Sequence, residues 1–451
     1  MSSLADLTAA VLEEVRRQAG ADAEATARAE STALALTRFA ASAIHQNVAD
    51  ERTTLHLQLT VDGGRTASSS TTRTSSVPEL VAATLAAARL RPRDPEWPGL
   101  GGPAPLVSSG SADAATAQTS PAERAAAVAA FVAAAGGLST AGYVQTSSST
   151  AVLADTAGQH VRGAATSAAC DGIARLSGAD GVARSASRRF ADLDCAALGA
   201  RAAAKARAGV DARPVDPGRY AVVLEPAAVS DVVAGLASGQ FNGKAVVDGT
   251  SGLRLGDQQF DRSVSLADDA VGPDATGLPF DTEGTPARRT DLVRDGVPVG
   301  LTTDRRVAAT LGGESTGHAS DTSATSGPVA GDPALAPGPG GTVDDLVAGM
   351  ERGLLVSDLW YTRVVDPKRS VWTGLTRNGV WLVEDGQVVA PVSTLRFTQS
   401  YLEALAPGAV TVGSVLDPQP ARLTMTYAGT NRFAVPALRL AAWNITGNTT
   451  G

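Results

Sequence analysis

The chain has 451 residues, 43% of them hydrophobic, a length and composition that predict two or three structural units with sizeable cores. The formal net charge of −8 argues against a nucleic-acid partner, because nucleic-acid-binding proteins carry clustered basic patches and this sequence contains none. No segment approaches the roughly 18 uninterrupted apolar residues of a membrane-spanning helix, so no membrane partner is expected.

Residues 1–100 predict a mixed α/β N-terminal domain. Apolar residues recur at helical spacing over 3–19, which predicts an amphipathic helix. Two strands are expected next, and the clearer one is 55–61, where apolar and polar residues alternate before an Asp-Gly-Gly turn. A Ser-x-x-Glu pattern at 76–79 predicts a capping box that opens a helix ending near Leu90.

A central α/β region is expected over 115–212, after a linker rich in Pro, Gly, Ser and Thr at 91–119. A second Ser-x-x-Glu pattern, at 120–123, predicts a capping box and an Ala-rich helix that stops at a pair of glycines. Polar, β-prone sequence covers 140–190, and a further helix is expected at about 194–208.

Residues 213–451 predict a C-terminal domain that is rich in β-strands. The apolar run at 220–224 suits a buried strand, and a helix is expected at 228–237. Two β-prone runs within 380–392 flank a Glu-Asp-Gly-Gln turn, which is typical of a hairpin. The Gly/Pro-rich segment 326–341 suggests an exposed loop. Late strands are expected at 423–427 and 433–440. The fold class is therefore α+β, with a mixed α/β N-terminal part followed by a mostly β domain.

The cysteines and the N-terminus indicate a cytoplasmic protein. Cys170 and Cys195 fit neither a zinc knuckle nor a CxxC redox pair, so two ordinary reduced cysteines are expected. The first twenty residues are acidic and amphipathic, and they lack the basic segment and apolar core of a signal peptide.

Five sequence strings, each weak alone, occur in an order and at spacings that resemble the TldD/PmbA family of peptidase-related proteins. They are LTRFAASAIHQN at 36–47, PGRYAVVLEP at 217–226, LADD at 266–269 with FDTEGTP at 280–286, GGESTGHA at 312–319, and EDGQVVAPV at 384–392. The resemblance implies the mixed α/β and β-rich arrangement of that family. Composition and periodicity alone predict only a cytoplasmic protein of several units.

Active members that this chain resembles carry HExxxH on a helix and a distant cysteine. A catalytic zinc needs about three protein ligands and an open position for water, and histidines one helical turn apart reach the same metal. This chain has four histidines, and the closest two, His45 and His56, are 11 residues apart. The expected helix after residue 224 offers Asp231 and no imidazole, and no cysteine follows Cys195. These absences indicate the TldE-like branch, without a catalytic or metal-binding residue in this chain.

Four residues are candidate contacts to a substrate or partner: Asn242, Asp281, Glu283 and His318. Asn242 belongs to a Phe-Asn-Gly-Lys string, for which a plain turn is the favoured interpretation. His318 sits in a loop rich in Gly, Ser and Thr, where an exposed histidine is favoured. Asp281 and Glu283 belong to an acidic group with Asp268 and Asp269 that could hold a hard cation or do acid–base work, but loop carboxylates bonded to the backbone are the favoured interpretation.

Two functional hypotheses follow. The resemblance implies a non-catalytic subunit of a heterodimeric TldD/TldE-type zinc metallopeptidase, which processes or degrades small or unfolded peptides. Its partner would be a TldD-like HExxxH subunit that holds the zinc, so no cofactor is expected in this chain. The alternative is an independent metal-dependent peptidase that uses Asp281, Glu283 and His318. The lack of a histidine pair at ligand spacing favours the first hypothesis.

Overall fold

The computed structural model describes residues 3–107, 110–422 and 428–448. It confirms the α+β class, with a mixed α/β N-terminal part and a mostly β C-terminal part. The strand expected at 423–427 lies outside the described residues. Within the described ranges, no helix is long and apolar enough to cross a lipid bilayer.

The N-terminal half is built on one seven-stranded sheet in the order β3-β2-β1-β5-β6-β4, with β7 also paired to β6. Its elements, in chain order, are α1 (Leu4–Ala19), β1 (Glu24–Ala40), β2 (Ala43–Val61), β3 (Arg65–Thr71), α2 (Val77–Leu90), β4 (Gly110–Ser111), α3 (Ala114–Ala117), α4 (Pro121–Ala134), β5 (Ser139–Asp155), β6 (His160–Leu176), β7 (Ala179–Ser187) and α5 (Cys195–Ala208).

Strand β1 joins the two parts of this sheet. It pairs antiparallel with β2 on one side and with β5 on the other, so strands from 1–100 and from 115–212 share one sheet. Helices α1 and α2 bury Val11, Val15 and Val81 against one section of it. Helices α4 and α5 bury Phe131 and Ala202 against another section.

The C-terminal half contains two sheets. Its elements are β8 (Gly218–Leu224), α6 (Pro226–Gly239), α7 (Gly243–Val247), β9 (Leu266–Asp269), β10 (Arg289–Arg294), β11 (Val297–Pro298), α8 (Arg305–Leu311), α9 (Ser323–Ser326), β12 (Pro333–Leu335), α10 (Val343–Ala348), β13 (Arg352–Asp366), β14 (Val371–Glu384), β15 (Gln387–Pro391), β16 (Leu395–Ser400), α11 (Tyr401–Ala404), β17 (Val410–Val412), β18 (Asp417–Arg422), β19 (Ala428–Val435) and β20 (Leu438–Asn448).

Helix α6 lies at the centre of this half. One sheet has the order β11-β10-β9-β12-β19-β18, and the pairings of the other close a ring of five strands, β13-β8-β20-β16-β14. Val229, Val232, Val233 and Leu236 of α6 are buried in the main hydrophobic core with side chains from both sheets. A helix this enclosed is held in a fixed position, and so is every polar group that it carries.

Most of the local predictions are confirmed. The helices expected at 3–19, 194–208 and 228–237, the buried strand at 220–224 and the hairpin within 380–392 all form. The predicted late strand 433–440 is instead the end of β19 and the start of β20, because Pro436 lies between them.

Two local predictions are wrong. Ser76 does precede α2, but its φ of −101° and ψ of 40° depart from the extended conformation of a helix N-cap, and its side chain makes no capping hydrogen bond. Segment 326–341 is not simply an exposed loop. It contains β12, which pairs with both β9 and β19 in the middle of a sheet, and Leu335 is buried in the core.

Candidate functional site

Helix α6 follows β8, where the resemblance places the metal-binding helix of active relatives. Its carboxylate, Asp231, is engaged in bonds within the fold. Asp231 Oδ2 accepts a hydrogen bond from Thr362 Oγ1 at 2.9 Å, and Oδ1 accepts one from Tyr401 Oη at 3.2 Å. Burial, and then the charge of Asp231, raise the pKa of Tyr401 well above its ordinary value. The phenol therefore stays protonated and acts as a donor to the carboxylate.

The donor groups around α6 do not fit a catalytic zinc. Such a site needs about three nitrogen, sulfur or oxygen ligands converging on one point. Among residues 3–107, 110–422 and 428–448, no three His, Cys, Asp or Glu side chains are grouped closely enough to hold a metal ion. The residues of α6 and its described surroundings therefore do not supply the zinc ligands of an HExxxH centre.

Asp281 organises a tight loop. Its Oδ1 accepts hydrogen bonds from the backbone amides of Glu283 and Thr285, both at 2.9 Å, and its Oδ2 accepts one from the amide of Ala319 at 3.0 Å. Burial raises its pKa to about 6, although the three amide donors oppose that shift. Gly284 in this loop has a φ of +79°, a region that favours glycine. The carboxylate thus holds two loops together, as the favoured interpretation of this acidic group predicts.

His318 is buried, with 7% of its surface exposed, so the expectation of an exposed loop histidine is wrong. Its Nε2 lies 3.0 Å from Asp268 Oδ2, and its Nδ1 lies 2.8 Å from Thr316 Oγ1. Asp268 also accepts a hydrogen bond from the amide of Asp332 at 2.6 Å. Both ring nitrogens are therefore occupied by partners within the fold.

Glu283 combines a buried carboxylate with access to a cavity. Its Oε2 accepts a hydrogen bond from the amide of Arg305 at 2.9 Å and lies 3.2 Å from Arg305 Nε. Burial raises the pKa of Glu283 to about 7, while Arg305 opposes this shift and Asp281 adds to it. Of the four candidate residues, Glu283 is the one whose carboxylate can exchange a proton near neutral pH in contact with a cavity.

Asn242 is the N-cap of α7, so this short string is more than a plain turn. Its Oδ1 accepts a hydrogen bond from the amide of Lys244 at 3.0 Å, and its Nδ2 donates to the carbonyl of Ser326 at 2.7 Å. It lines a separate cavity of 290 Å³.

Segment 302–305 contacts three of the four candidate residues. Thr302 forms a β-bridge with Asn242, Thr303 accepts from the amide of His318 at 3.4 Å, and Arg305 donates to Glu283. Asp281 joins this group because it accepts hydrogen bonds from the amides of Glu283 and of Ala319, next to His318, whereas Asn242 lines the separate cavity.

The cavity beside Glu283 has a volume of 620 Å³ and is called the linker groove here. Its lining comes from within 98–107 on one wall and from within 283–288 and 305–315 on the other, with Asp155 and Gln159 between them. Gln159 Nε2 donates to the carbonyls of Ala104 at 3.1 Å and Gly284 at 2.7 Å, which ties the two walls together. Sequence analysis did not identify Arg305 or Gln159, because no local pattern marks residues that meet across such distances along the chain.

Comparison with known proteins agrees with this architecture. A family model described as the PmbA/TldA metallopeptidase C-terminal domain matches residues 217–447, just over half of the chain. The chain therefore belongs to the PmbA/TldD family of peptidase-related proteins. Among curated proteins, none is similar enough in sequence to count as a match.

Three solved structures share the fold over nearly the whole chain. TldE from Thermococcus kodakarensis has a TM-score of 0.84 at 18% identity, with 97% of this chain and 100% of that chain covered. A candidate modulator of a DNA gyrase from Thermotoga maritima has a TM-score of 0.84 at 16% identity, covering 98% and 100%. A candidate modulator of DNA gyrase from Bacteroides thetaiotaomicron has a TM-score of 0.81 at 19% identity, covering 98% of both chains.

Proposed function

We propose that this chain is the non-catalytic, TldE-like subunit of a heterodimeric zinc metallopeptidase that acts on small or unfolded peptides. Membership of the PmbA/TldD family supports the peptidase setting. The observation that carries the proposal is helix α6, which has a carboxylate engaged with Tyr401 and Thr362 and no histidine. Such a helix can support a fold, but it cannot supply the ligands of an HExxxH centre.

The partner in this proposal is a relative that carries HExxxH. It would hold the zinc and activate water there, and this chain would contribute binding surface and help to enclose the substrate. The similarity in fold to Thermococcus TldE is consistent with this division of roles.

The alternative, an independent hydrolase, would need Asp281, Glu283 and His318 to act together on one metal or one water. Asp281 accepts three backbone amides, and His318 is enclosed between Asp268 and Thr316. Both ring nitrogens of His318 are thus occupied within the fold, and three of the roughly four acceptor positions of the Asp281 carboxylate are filled, so these side chains are not arranged to share a metal with Glu283. The geometry therefore favours the partner-subunit hypothesis.

The test is to purify the chain alone, and also after co-expression with the HExxxH relative from the same genome, without a metal-binding tag. We expect no stoichiometric zinc and no peptide hydrolysis for the chain alone. The co-expressed pair is expected to elute as one complex with zinc bound and to cleave an unfolded protein such as reduced, alkylated casein. A matched control replaces the HExxxH glutamate of the partner with glutamine, which should abolish cleavage and leave assembly intact. Stoichiometric zinc with hydrolysis by the chain alone, or failure of the two chains to associate, would overturn the proposal.

A further inference from the structure

Strand β2 is unpaired along most of its outer edge. Strand β1 pairs with the inner side of β2 over 43–60, whereas β3 covers the outer side only over 55–61. Among the described residues, no other strand pairs with β2, and the main chain of 44–54 forms no hydrogen bond outside its ladder with β1. Residues 44–54 are therefore called the free edge here.

The free edge is open on its faces as well. Residues 43–52 are all exposed, so most of this strand is not packed against the rest of the fold. The strand is nevertheless regular, because its register with β1 is continuous from Gln46 to Thr60. A long strand edge of this kind presents a row of outward N–H and C=O groups, which makes it a template for pairing with another strand.

The limits of the free edge select one register for pairing with a second copy of this chain. The turn at 41–42 closes one end of the edge, and β3 closes the other end. Two such edges overlap completely, antiparallel and related by a two-fold axis, when the axis passes through Ala49, the midpoint of 44–54. Residues at equal distances before and after Ala49 then face each other on the same side of the sheet.

The side chains suit this register. Gln46 of one copy faces Arg52 of the other, and Asn47 faces Glu51, so an amide meets each of these charges. Asn47 Oδ1 already accepts a hydrogen bond from Thr37 Oγ1 at 2.9 Å, which leaves its Nδ2 to donate to the carboxylate of Glu51. The register therefore joins complementary groups on both sides of the axis.

Shifted registers are less favourable. An axis at Asp50, Glu51 or Arg52 would place that charge directly opposite itself in the second copy, and like charges facing each other destabilise a strand pair. The irregularity in the ladder with β1 falls at His45, outside the four facing residues of 46–52. Charges on edge strands often prevent pairing altogether. Here they carry both signs and exclude the shifted registers, so they select one pairing.

We propose that two copies of this chain associate through the free edge, with their β2 strands antiparallel and Ala49 on the two-fold axis. The two N-terminal sheets then continue into one sheet across the interface, and the outward main-chain groups of each edge are satisfied by those of the other. The inference goes beyond the proposed function and does not depend on it, because the chain can pair with its own copy with or without an HExxxH partner.

The first experiment measures the mass of the full chain by sedimentation velocity over roughly 1–100 μM, where we expect a dimer. Ala49→Arg and Ala49→Glu should each weaken dimerisation by about tenfold or more, because like charges then face each other on the axis. An equimolar mixture of the two variants should restore the dimer, which also shows that both variants fold. Val389→Arg is the control, since Val389 is exposed on β15 in the other half of the chain, and it should leave the dimer unchanged.

Disulfide crosslinking with oxidised glutathione tests the register. The chain's own cysteines, Cys170 and Cys195, are both buried. Ala49→Cys should give a linked dimer, because the Cα atoms of directly opposite residues lie about 4.5–5.5 Å apart, within reach of a disulfide. Glu51→Cys is the matched control on the same exposed strand. Its counterpart in the second copy lies four residues away along the strand, roughly 14 Å, so it should not link.

Several outcomes would overturn the inference: a monomer at every concentration, charged variants that dimerise like the unsubstituted chain, a mixture that does not restore the dimer, or equal crosslinking of the two cysteine variants. Sedimentation of the co-expressed complex identifies a different occupant. If the chain alone is monomeric and Ala49→Arg releases the HExxxH subunit, the free edge binds that subunit and the pairing of copies is wrong. Failure of the unsubstituted chain to assemble with the HExxxH subunit would refute the proposed function and leave the pairing of copies unaffected.

Discussion

Arg184 of β7 reaches from the N-terminal sheet into the C-terminal half and donates two hydrogen bonds to Asp358 of β13, at 3.0 and 3.1 Å. Both side chains are buried, and Asp171 adds a second carboxylate 3.2 Å from Arg184 Nε. Burial alone would lower the pKa of Arg184, but the charges of Asp171 and Asp358 outweigh it and raise the pKa above its ordinary value. This fork-shaped pair fixes the two halves of the chain against each other.

Removing one member of the Arg184–Asp358 pair should therefore lower the stability of the fold. Asp358→Ala leaves the buried guanidinium with one carboxylate fewer, and we expect the free energy of unfolding in urea to fall by about 3–5 kcal/mol. Arg175→Ala is the control, because it breaks the exposed Arg175–Asp180 pair on the same sheet and should cost less than about 1 kcal/mol. Equal losses for the two substitutions would show that the contact between the halves does not depend on this pair.

The buried position of His318 leads to a second prediction. His318→Ala removes a bond to Asp268, whose side chain is fully enclosed, and leaves a cavity beside it. We expect a loss of about 2–4 kcal/mol in the free energy of unfolding, with unchanged peptidase activity per assembled heterodimer. His45 is exposed at the start of β2, so His45→Ala is the matched control and should leave the stability unchanged. A loss of catalytic activity in His318→Ala complexes that remain folded would instead support the independent-hydrolase hypothesis.

Asp332 should make the stability depend on pH. Burial, and then the charge of Asp268, raise the pKa of Asp332 from 3.8 to about 6. Between these values the folded state binds more protons than the unfolded state, so the stabilisation is fully present below pH 3.8 and is lost as the pH rises through about 6. The shift corresponds to about 3 kcal/mol. Asp332→Asn can still accept from Thr276, and urea unfolding at a series of pH values should show a smaller decline than in the unsubstituted chain.

Asp261 provides a control of opposite sign for that experiment. Its carboxylate accepts hydrogen bonds from the amides of Ser263 and Gly408, which lower its pKa. Its stabilisation is therefore present above the ordinary pKa and is lost in acid. Asp261→Asn should destabilise the protein at neutral pH and have little effect at low pH. The two substitutions should therefore change the pH dependence of stability in opposite directions. If both changed it in the same direction, the raised pKa of Asp332 would be contradicted.

The sequence predicts local structure well where the signal is itself local. Alternating leucines correctly predict a strand at 55–61, but β2 starts earlier, at Ala43. Residues 43–50 are exposed on both faces, so their sequence shows no apolar alternation that would predict the first half of the strand. Ser76 and Ser120 each begin a Ser-x-x-Glu pattern, but Ser120 alone has the extended backbone, with φ −76° and ψ 160°, that allows a capping box. The φ and ψ angles of the serine depend on the chain that precedes it, so the four-residue Ser-x-x-Glu pattern does not determine them.

The candidate site was less predictable because its contacts are long-range. The Gly, Ser and Thr around His318 suggest exposure, but the partner that encloses its ring is Asp268, 50 residues away. In the same way, Arg305 and residues 98–107 become neighbours only when the two halves pack together. The resemblance to the family compensated for this where the strings were specific, as at 217–226, which forms β8 and the start of α6.

Asp231 gives the sharpest test of whether α6 acts as scaffold or catalyst. Asp231→Ala removes the acceptor of Tyr401 and Thr362, so we expect the free energy of unfolding to fall by about 1–3 kcal/mol. Asp231→Asn keeps an acceptor oxygen and should recover part of that loss. If α6 is scaffold, both variants should give heterodimers with the zinc content and peptide hydrolysis of the unsubstituted complex, measured per assembled complex. A large fall in hydrolysis by Asp231→Asn complexes of normal stability would place the carboxylate in the chemistry, because amide substitution removes the negative charge while preserving the shape of the side chain.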